Sequence, residues 1–165
     1  LDFFKRTPDL ERLINEQDVI FVGGGNTKSM LAVWKDWGLD LILSEAYKNG
    51  VVMSGVSAGA ICWFENGITD SWSIELKVME CMGFIKANCC PHYDEEPLRK
   101  PSVKSFLKNN DLNECFCIEG GNALHFVNEE VLNSVSFGNK KNSYLANYVN
   151  DEVVEEELPR IELQV

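Results

Sequence analysis

Gly55-Val56-Ser57-Ala58-Gly59 follows an apolar run that ends at Met53 and opens a short helical stretch. A G-x-S-x-G pattern at a strand-to-helix junction bends the chain so sharply that the central serine is thrust outward, its hydroxyl exposed. The small residues Gly55, Ala58 and Gly59 permit the close backbone approach that such a bend needs. Neighbouring backbone N–H groups then face an incoming carbonyl. The pentapeptide therefore marks Ser57 as a candidate nucleophile and the chain as a candidate acyl-transfer enzyme.

Outward from that bend, strands and helices alternate. Asp18-Val19-Ile20-Phe21-Val22 reads as a continuous apolar strand of the buried, parallel type, running into Gly23-Gly24-Gly25-Asn26-Thr27. A helix is predicted from Lys28 to Trp37, closed by Gly38, and another from Leu41 to Lys48. Val51-Val52-Met53 is the next strand, and the helix after the serine bend runs through Phe64. Glu65 to Glu75 reads as polar loop. Ile85 to Cys90 is a strand that stops at Pro91-His92, Arg99 to Asn109 a helix, and Cys115 to Glu119 another buried strand. Beyond it, 123–128, 131–137, 143–149 and 153–157 read as short antiparallel strands, parted by Gly120-Gly121-Asn122 and Gly138-Asn139-Lys140. At the front, Thr7 is the expected N-cap, with Pro8 in the first turn, of a helix carrying Leu10, Leu13 and Ile14. The pattern predicts a single α/β domain over residues 1–165, a three-layer sandwich with a mainly parallel sheet and C-terminal antiparallel hairpins.

Composition narrows the partners. The chain has 165 residues, 45% of them hydrophobic, which suits one globular core. A formal net charge of -11 argues against nucleic acid and anionic membrane, both of which need a basic footprint. The opening Leu1-Asp2-Phe3-Phe4 has no signal-peptide pattern and reads as a cut or processed piece. Six cysteines (Cys62, Cys81, Cys89, Cys90, Cys115, Cys117) lie in apolar strand-like runs and lack zinc-site spacing. Reduced core thiols in a cytoplasmic protein, with no metal and no cofactor, is the expectation.

In open α/β sheets, sites form at the carboxyl ends of strands. The Gly23–Thr27 loop, Ser57 and His92 all fall at such ends. A nucleophilic serine needs a base within hydrogen-bond reach and a third group to fix that base. Of the two histidines, His92 sits at a strand tip among Asp94, Glu95 and Glu96, whereas His125 sits inside a strand on its polar face. His92 is the expected base. Asp70, in the loop between Ser57 and His92, is the favoured orienting acid over Asp94. The glycine run matches neither phosphate-binding pattern. Opposite a serine it would supply oxyanion donors, from Gly24 or Gly25 together with Ala58, and Asn26 beside them is assigned to substrate.

These residues resemble a known family. Gly23-Gly24-Gly25-Asn26-Thr27, Gly55-Val56-Ser57-Ala58-Gly59-Ala60 and Pro91-His92-Tyr93, in that order, look like the peptidase E family of serine peptidases. That family holds aspartyl dipeptidases and cyanophycinase relatives on a class I glutamine amidotransferase-like fold. The resemblance runs from Asp18 to Val127. It implies a Ser57–His92–Asp70 triad, an oxyanion hole at Gly24, Gly25 and the Ala58 amide, and small peptides with an N-terminal Asp as substrates. Two departures stand out. The loop bearing the acid is shorter than the dipeptidase pattern, with Trp72 at the ungapped position. The family's first strands also precede the region matching Leu1, so the sheet here is expected to lack them, with homodimerisation across the exposed edge as a remedy. Arg99, Lys100 and Lys28 are the cations available to read an acidic substrate. The competing readings are an α/β-hydrolase esterase, which the short Ser57-to-His92 interval disfavours, and a non-catalytic binding protein on the same fold.

Overall fold

A computed structural model describes residues 1, 3, 9–138 and 141–164. The chain is a mixed α/β protein that divides into two compact units, Leu1–Ala60 and Ile61–Val165.

The first unit opens with helix α1 (Leu10–Asn15), capped by Asp9, whose carboxylate accepts the Arg12 N–H at 3.1 Å. The expected cap at Thr7 and the following Pro8 lie outside the described residues. Strand β1 (Val19–Val22), helix α2 (Thr27–Asp36), helix α3 (Leu39–Lys48) and strand β2 (Val52–Gly55) follow. Trp37 and Gly38 join α2 to α3, and Gly38 takes φ +66°, a conformation that a side chain would strain. Helix α3 packs against α1 and α2 and buries Leu39, Leu43 and Ala46. β1 and β2 pair in parallel with Val22 opposite Gly55, so both strands stop at the same level. The apolar run of β1 predicts burial on both faces. In fact Val19 and Phe21 are exposed, because no described element of this unit covers that side of the two strands.

Helix α4 (Ala58–Ile61) carries the chain across the division. It ends earlier than the sequence suggests because the next carbonyls are captured by extended chain. Met82 N–H donates to Cys62 O at 2.9 Å, Ile85 N–H to Trp63 O at 3.0 Å and Gly83 N–H to Phe64 O at 2.8 Å.

The second unit contains β3 (Phe64–Thr69), β4 (Lys77–Glu80), β5 (Ile85–Cys90), α5 (Arg99–Lys108), β6 (Glu114–Ile118), β7 (Asn122–Val127), β8 (Glu130–Ser136), β9 (Ser143–Val149), β10 (Glu152–Glu157) and β11 (Arg160–Glu162). Six strands form one sheet in the order β10-β9-β6-β5-β3-β4. Its centre, β3, β5 and β6, is parallel, and antiparallel strands extend both edges. A second sheet has the order β11-β8-β7.

Alternation along β5 and β6 divides the core of this unit. Cys90, Cys115 and Cys117 face one way, with Val103 and Leu107 of α5. Cys89 and Phe116 face the other, against Leu124, Phe126 and Val131 of the smaller sheet. All six cysteines are free thiols; five are buried, and burial pushes the half-buried Cys81 up to about 12.

The stretch predicted as loop over 65–75 holds most of β3, with β4 close behind. Its polar residues do not break the sheet because they pair within it. Asn66 donates to the Asn88 side chain at 2.9 Å, and Asn88 donates to Glu114 O at 2.8 Å, an amide ladder across β3, β5 and β6.

Candidate active site

In the first unit the site is built at the common end of β1 and β2. Val56 N–H donates to Val22 O at 3.1 Å, extending the pairing one residue beyond the strand. The next residue, Ser57, takes φ +56°. That left-handed conformation is uncommon for a residue with a β-carbon and stores strain. Gly59 N–H then donates to Val56 O and Ala60 N–H to Ser57 O, each at 3.0 Å, starting α4.

The flanking glycines are demanded by contact. A β-carbon on Gly55 would lie 2.1 Å from Gly59 O, and one on Gly59 2.1 Å from Val22 O. The bend is thus pressed against the end of β1 with no room for a methyl group. Among the loop glycines, Gly24 lies against the nucleophile: its missing β-carbon would sit 3.3 Å from Ser57 Cβ and 3.8 Å from Oγ. Gly25, at φ +151°, has nothing within 4 Å of that position. Ala58 is buried at the start of α4. Asn26, assigned to substrate from the sequence, caps α2, its Oδ1 accepting Ser29 N–H at 2.9 Å.

In the second unit His92 follows β5 and takes φ +55°. Its carbonyl accepts N–H groups from both Glu95 and Glu96, folding residues 92–96 into a tight turn. Tyr93 N–H donates to Ile118 O at 2.9 Å and joins that turn to the end of β6. The His92 ring meets a carboxylate, with Nδ1 2.7 Å from Glu95 Oε2. An ionised carboxylate only accepts, so Nδ1 is the donor in this contact.

The other acids of this region have different partners. Asp94 accepts Gly120 N–H at 2.8 Å and pairs with Lys141. Burial pushes the Asp94 carboxyl up, but the Lys141 ammonium and the Gly120 and Asp94 amides together hold it below the usual carboxylate range. Glu96 accepts from Arg99 Nε at 2.8 Å. Glu119, just past β6, accepts Asn142 N–H at 3.1 Å, with Lys100 Nζ 3.9 Å away. Asp70 is exposed on the turn after β3, its backbone carbonyl accepting Ser73 N–H. His125 is exposed on β7.

The cations named from the sequence fare differently. Arg99 is 4% exposed and donates through Nη1 to Ile68 O at 2.6 Å, so it ties α5 to β3 instead of facing solvent. Lys100 sits 4.9 Å over the Tyr93 ring beside Glu119, and Lys28 lies exposed in the first turn of α2.

The sequence reading named Glu95 as a neighbour of His92 and not as the partner of its ring. The signal was a histidine and a glutamate three apart on a turn, which brings both side chains to one side once the chain folds back.

A strained serine between space-limited glycines, at a strand-to-helix bend, defines a serine-hydrolase type of elbow. The sequence profile of peptidase family S51 matches residues 3–133, and the chain belongs to that family of serine peptidases. It is 44% identical over 160 residues to a Bacillus subtilis (strain 168) protein named uncharacterized peptidase YgaJ, covering 96% of this chain and 69% of that one. It is 30% identical over 109 residues to peptidase E of Streptomyces coelicolor (strain ATCC BAA-471 / A3(2) / M145), covering 60% of this chain and 45% of that protein. A Listeria monocytogenes serovar 1/2a (strain ATCC BAA-679 / EGD-e) protein named uncharacterized peptidase Lmo0363 is 23% identical over 125 residues, covering 72% and 61% of the two chains. No helix among the described residues is long and apolar enough to cross a membrane.

Proposed function

We propose that the protein hydrolyses small peptides, those with an N-terminal Asp first among them, through an acyl-enzyme on Ser57. Ser57 Oγ attacks the scissile carbonyl while His92 Nε2 takes its proton. The tetrahedral oxyanion is held by backbone N–H groups of the Gly24–Gly25 loop and of Ala58, each such donor being worth roughly 3 kcal/mol of barrier. His92 then gives the proton to the leaving amine, and water, activated by the same ring, releases the acyl group.

The observation that carries this reading is the Ser57 bend: a positive φ of 56° on a serine, with Gly24 against its side chain and no space for a methyl at Gly55 or Gly59. Strain of this kind persists where the surroundings over-determine it, and it clusters at reactive groups. The N-terminal Asp preference rests on the family resemblance.

The test is labelling of the full chain by a fluorophosphonate probe. The expected result is one covalent adduct on Ser57, lost in Ser57→Ala, with turnover of Asp-X dipeptides above that of p-nitrophenyl esters. A chain that stays unlabelled would leave a binding protein on this fold. Turnover confined to esters would make it an esterase.

A further inference from the structure

We propose that Trp72, Ile74 and Leu98 select substrates with an apolar residue on the leaving side of the scissile bond. The inference rests on the peptidase reading above and deepens it: it names the second residue of the substrate and the side chains that read it.

The observations all lie in the second unit. β3, β5 and β6 run in parallel, so their carboxyl ends make one edge of the sheet, and His92 follows β5 at that edge. Gly67 of β3 stands opposite Cys89 of β5, so the two strands reach the edge together. The chain leaving β3 therefore starts one strand, about 4.8 Å, from the strand that delivers His92.

That chain is a braced loop. Ser71 N–H donates to Thr69 Oγ1 at 3.2 Å, Ser73 N–H to Asp70 O at 3.3 Å and Glu75 N–H to Ser73 Oγ at 3.2 Å. Thr69 and Leu76, both buried, fix its two ends. Between them Trp72 is 44% exposed and Ile74 99%. Leu98, also exposed, comes to the same place from another element. The residue after it, Arg99, donates to Ile68 O at 2.6 Å and so sets the start of α5 beside the end of β3. Two separate segments thus hold large apolar side chains in water at one corner of the sheet.

The edge is asymmetric about His92. On the other side of β5, β6 runs into Glu119, Gly120, Gly121 and Asn122, where Asp94 holds Gly120 N–H and Lys141. That side offers charge and amide groups, and the β3 side offers apolar surface. In the reaction proposed above His92 hands its proton to the leaving amine, so the residue carrying that amine passes beside the ring while the acyl part is bonded to Ser57. An apolar side chain on the leaving residue removes surface from water on both partners when it meets Trp72, Ile74 and Leu98, a gain that glycine cannot make.

The experiment measures steady-state hydrolysis of Asp-Leu, Asp-Phe, Asp-Lys and Asp-Gly by the full chain and by Trp72→Ala, Ile74→Ser, Ile74→Leu and Leu98→Ser. The unaltered protein should favour Asp-Leu and Asp-Phe over Asp-Gly about tenfold in kcat/KM, with Asp-Lys near Asp-Gly. Trp72→Ala, Ile74→Ser and Leu98→Ser should each reduce that ratio about threefold, through a higher KM for Asp-Leu at a similar kcat. Ile74→Leu should keep it. Ile161→Ser, an exposed apolar residue of β11, is the control and should leave the ratio as it was.

Hydrolysis of all four dipeptides at similar kcat/KM would overturn the proposal and leave the peptidase reading standing. So would a wild-type ratio in Trp72→Ala, Ile74→Ser and Leu98→Ser, or an equal loss of kcat on every substrate, which marks a structural role. If none of the dipeptides is cut, the peptidase reading falls and this proposal falls with it.

Discussion

Gly59→Ala is the sharpest probe of the serine bend. The added β-carbon would lie 2.1 Å from Val22 O, 2.5 Å from Val22 C and 2.8 Å from Gly23 O. A comfortable carbon-to-oxygen approach is about 3.3 Å, so the chain must open by roughly 1 Å. All three obstructing atoms are backbone, so no side chain can swing aside. Over-packing of this kind costs about 3 kcal/mol, the upper part of its usual span. With a urea dependence of about 2 kcal/mol per molar, the unfolding midpoint should fall by about 1.5 M. A displacement of about 1 Å at the nucleophile should also slow fluorophosphonate labelling on the order of a hundredfold. Gly23→Ala is the internal comparison. It stands in the loop after β1 with nothing within 4 Å of the new methyl group, and should stay within about 0.5 kcal/mol of wild type. Tryptophan fluorescence in urea measures the first effect and intact-mass labelling kinetics the second. If Gly59→Ala unfolds at the wild-type midpoint and labels at the wild-type rate, the bend is not as tight as its contacts state, and the case for Ser57 weakens with it.

Two further outcomes follow from the second unit. Arg99→Leu leaves the buried Ile68 carbonyl without its 2.6 Å partner and should cost about 2–3 kcal/mol, seen as a fall of about 5–10 °C in the thermal midpoint; an unchanged midpoint would show that Arg99 is not a tether. Asp94→Asn should destabilise the chain near neutral pH, by an amount that shrinks in acid. The folded-state carboxyl is held below its unfolded value, so its contribution is complete above about pH 4 and is lost as the pH falls through the lower folded value. Urea midpoints of both proteins from pH 7 to pH 3 check this, and a constant gap across that range would refute it.

Most of the fold was legible because its signals were local. The apolar runs ending at Val22, Met53, Cys90 and Ile118 each stop at a glycine-rich or proline-containing break, and each is a strand. The strands at 64–69 and 77–80 were hidden because their pairing is tertiary. Asn66 looks like a loop residue until Asn88 and Glu114 supply its partners across the sheet. Likewise the exposure of Phe21 follows from which elements cover β1, and nothing in Val19-Ile20-Phe21-Val22 encodes that.

The candidate residues divide along the same line. The bend at Ser57 could be read directly because adjacent small residues specify it, and the turn at His92 because proline and a strand end announce it. The carboxylate beside His92 could not. Asp94, Glu95 and Glu96 are three acids in a row, chemically alike and all within reach of the ring on paper. The turn separates them by direction: the first faces Gly120 N–H and Lys141, the second Nδ1 of His92, the third Arg99 at the start of α5. Each direction is fixed by a partner at least three residues away, and for Asp94 the partners lie on other strand ends altogether. Asp70 had the stronger claim on sequence order, since it lies between the nucleophile and the base. Order along the chain does not determine which oxygen reaches an imidazole. The 2.7 Å contact shows only that the Glu95 carboxylate reaches the His92 ring, which residue order alone does not indicate.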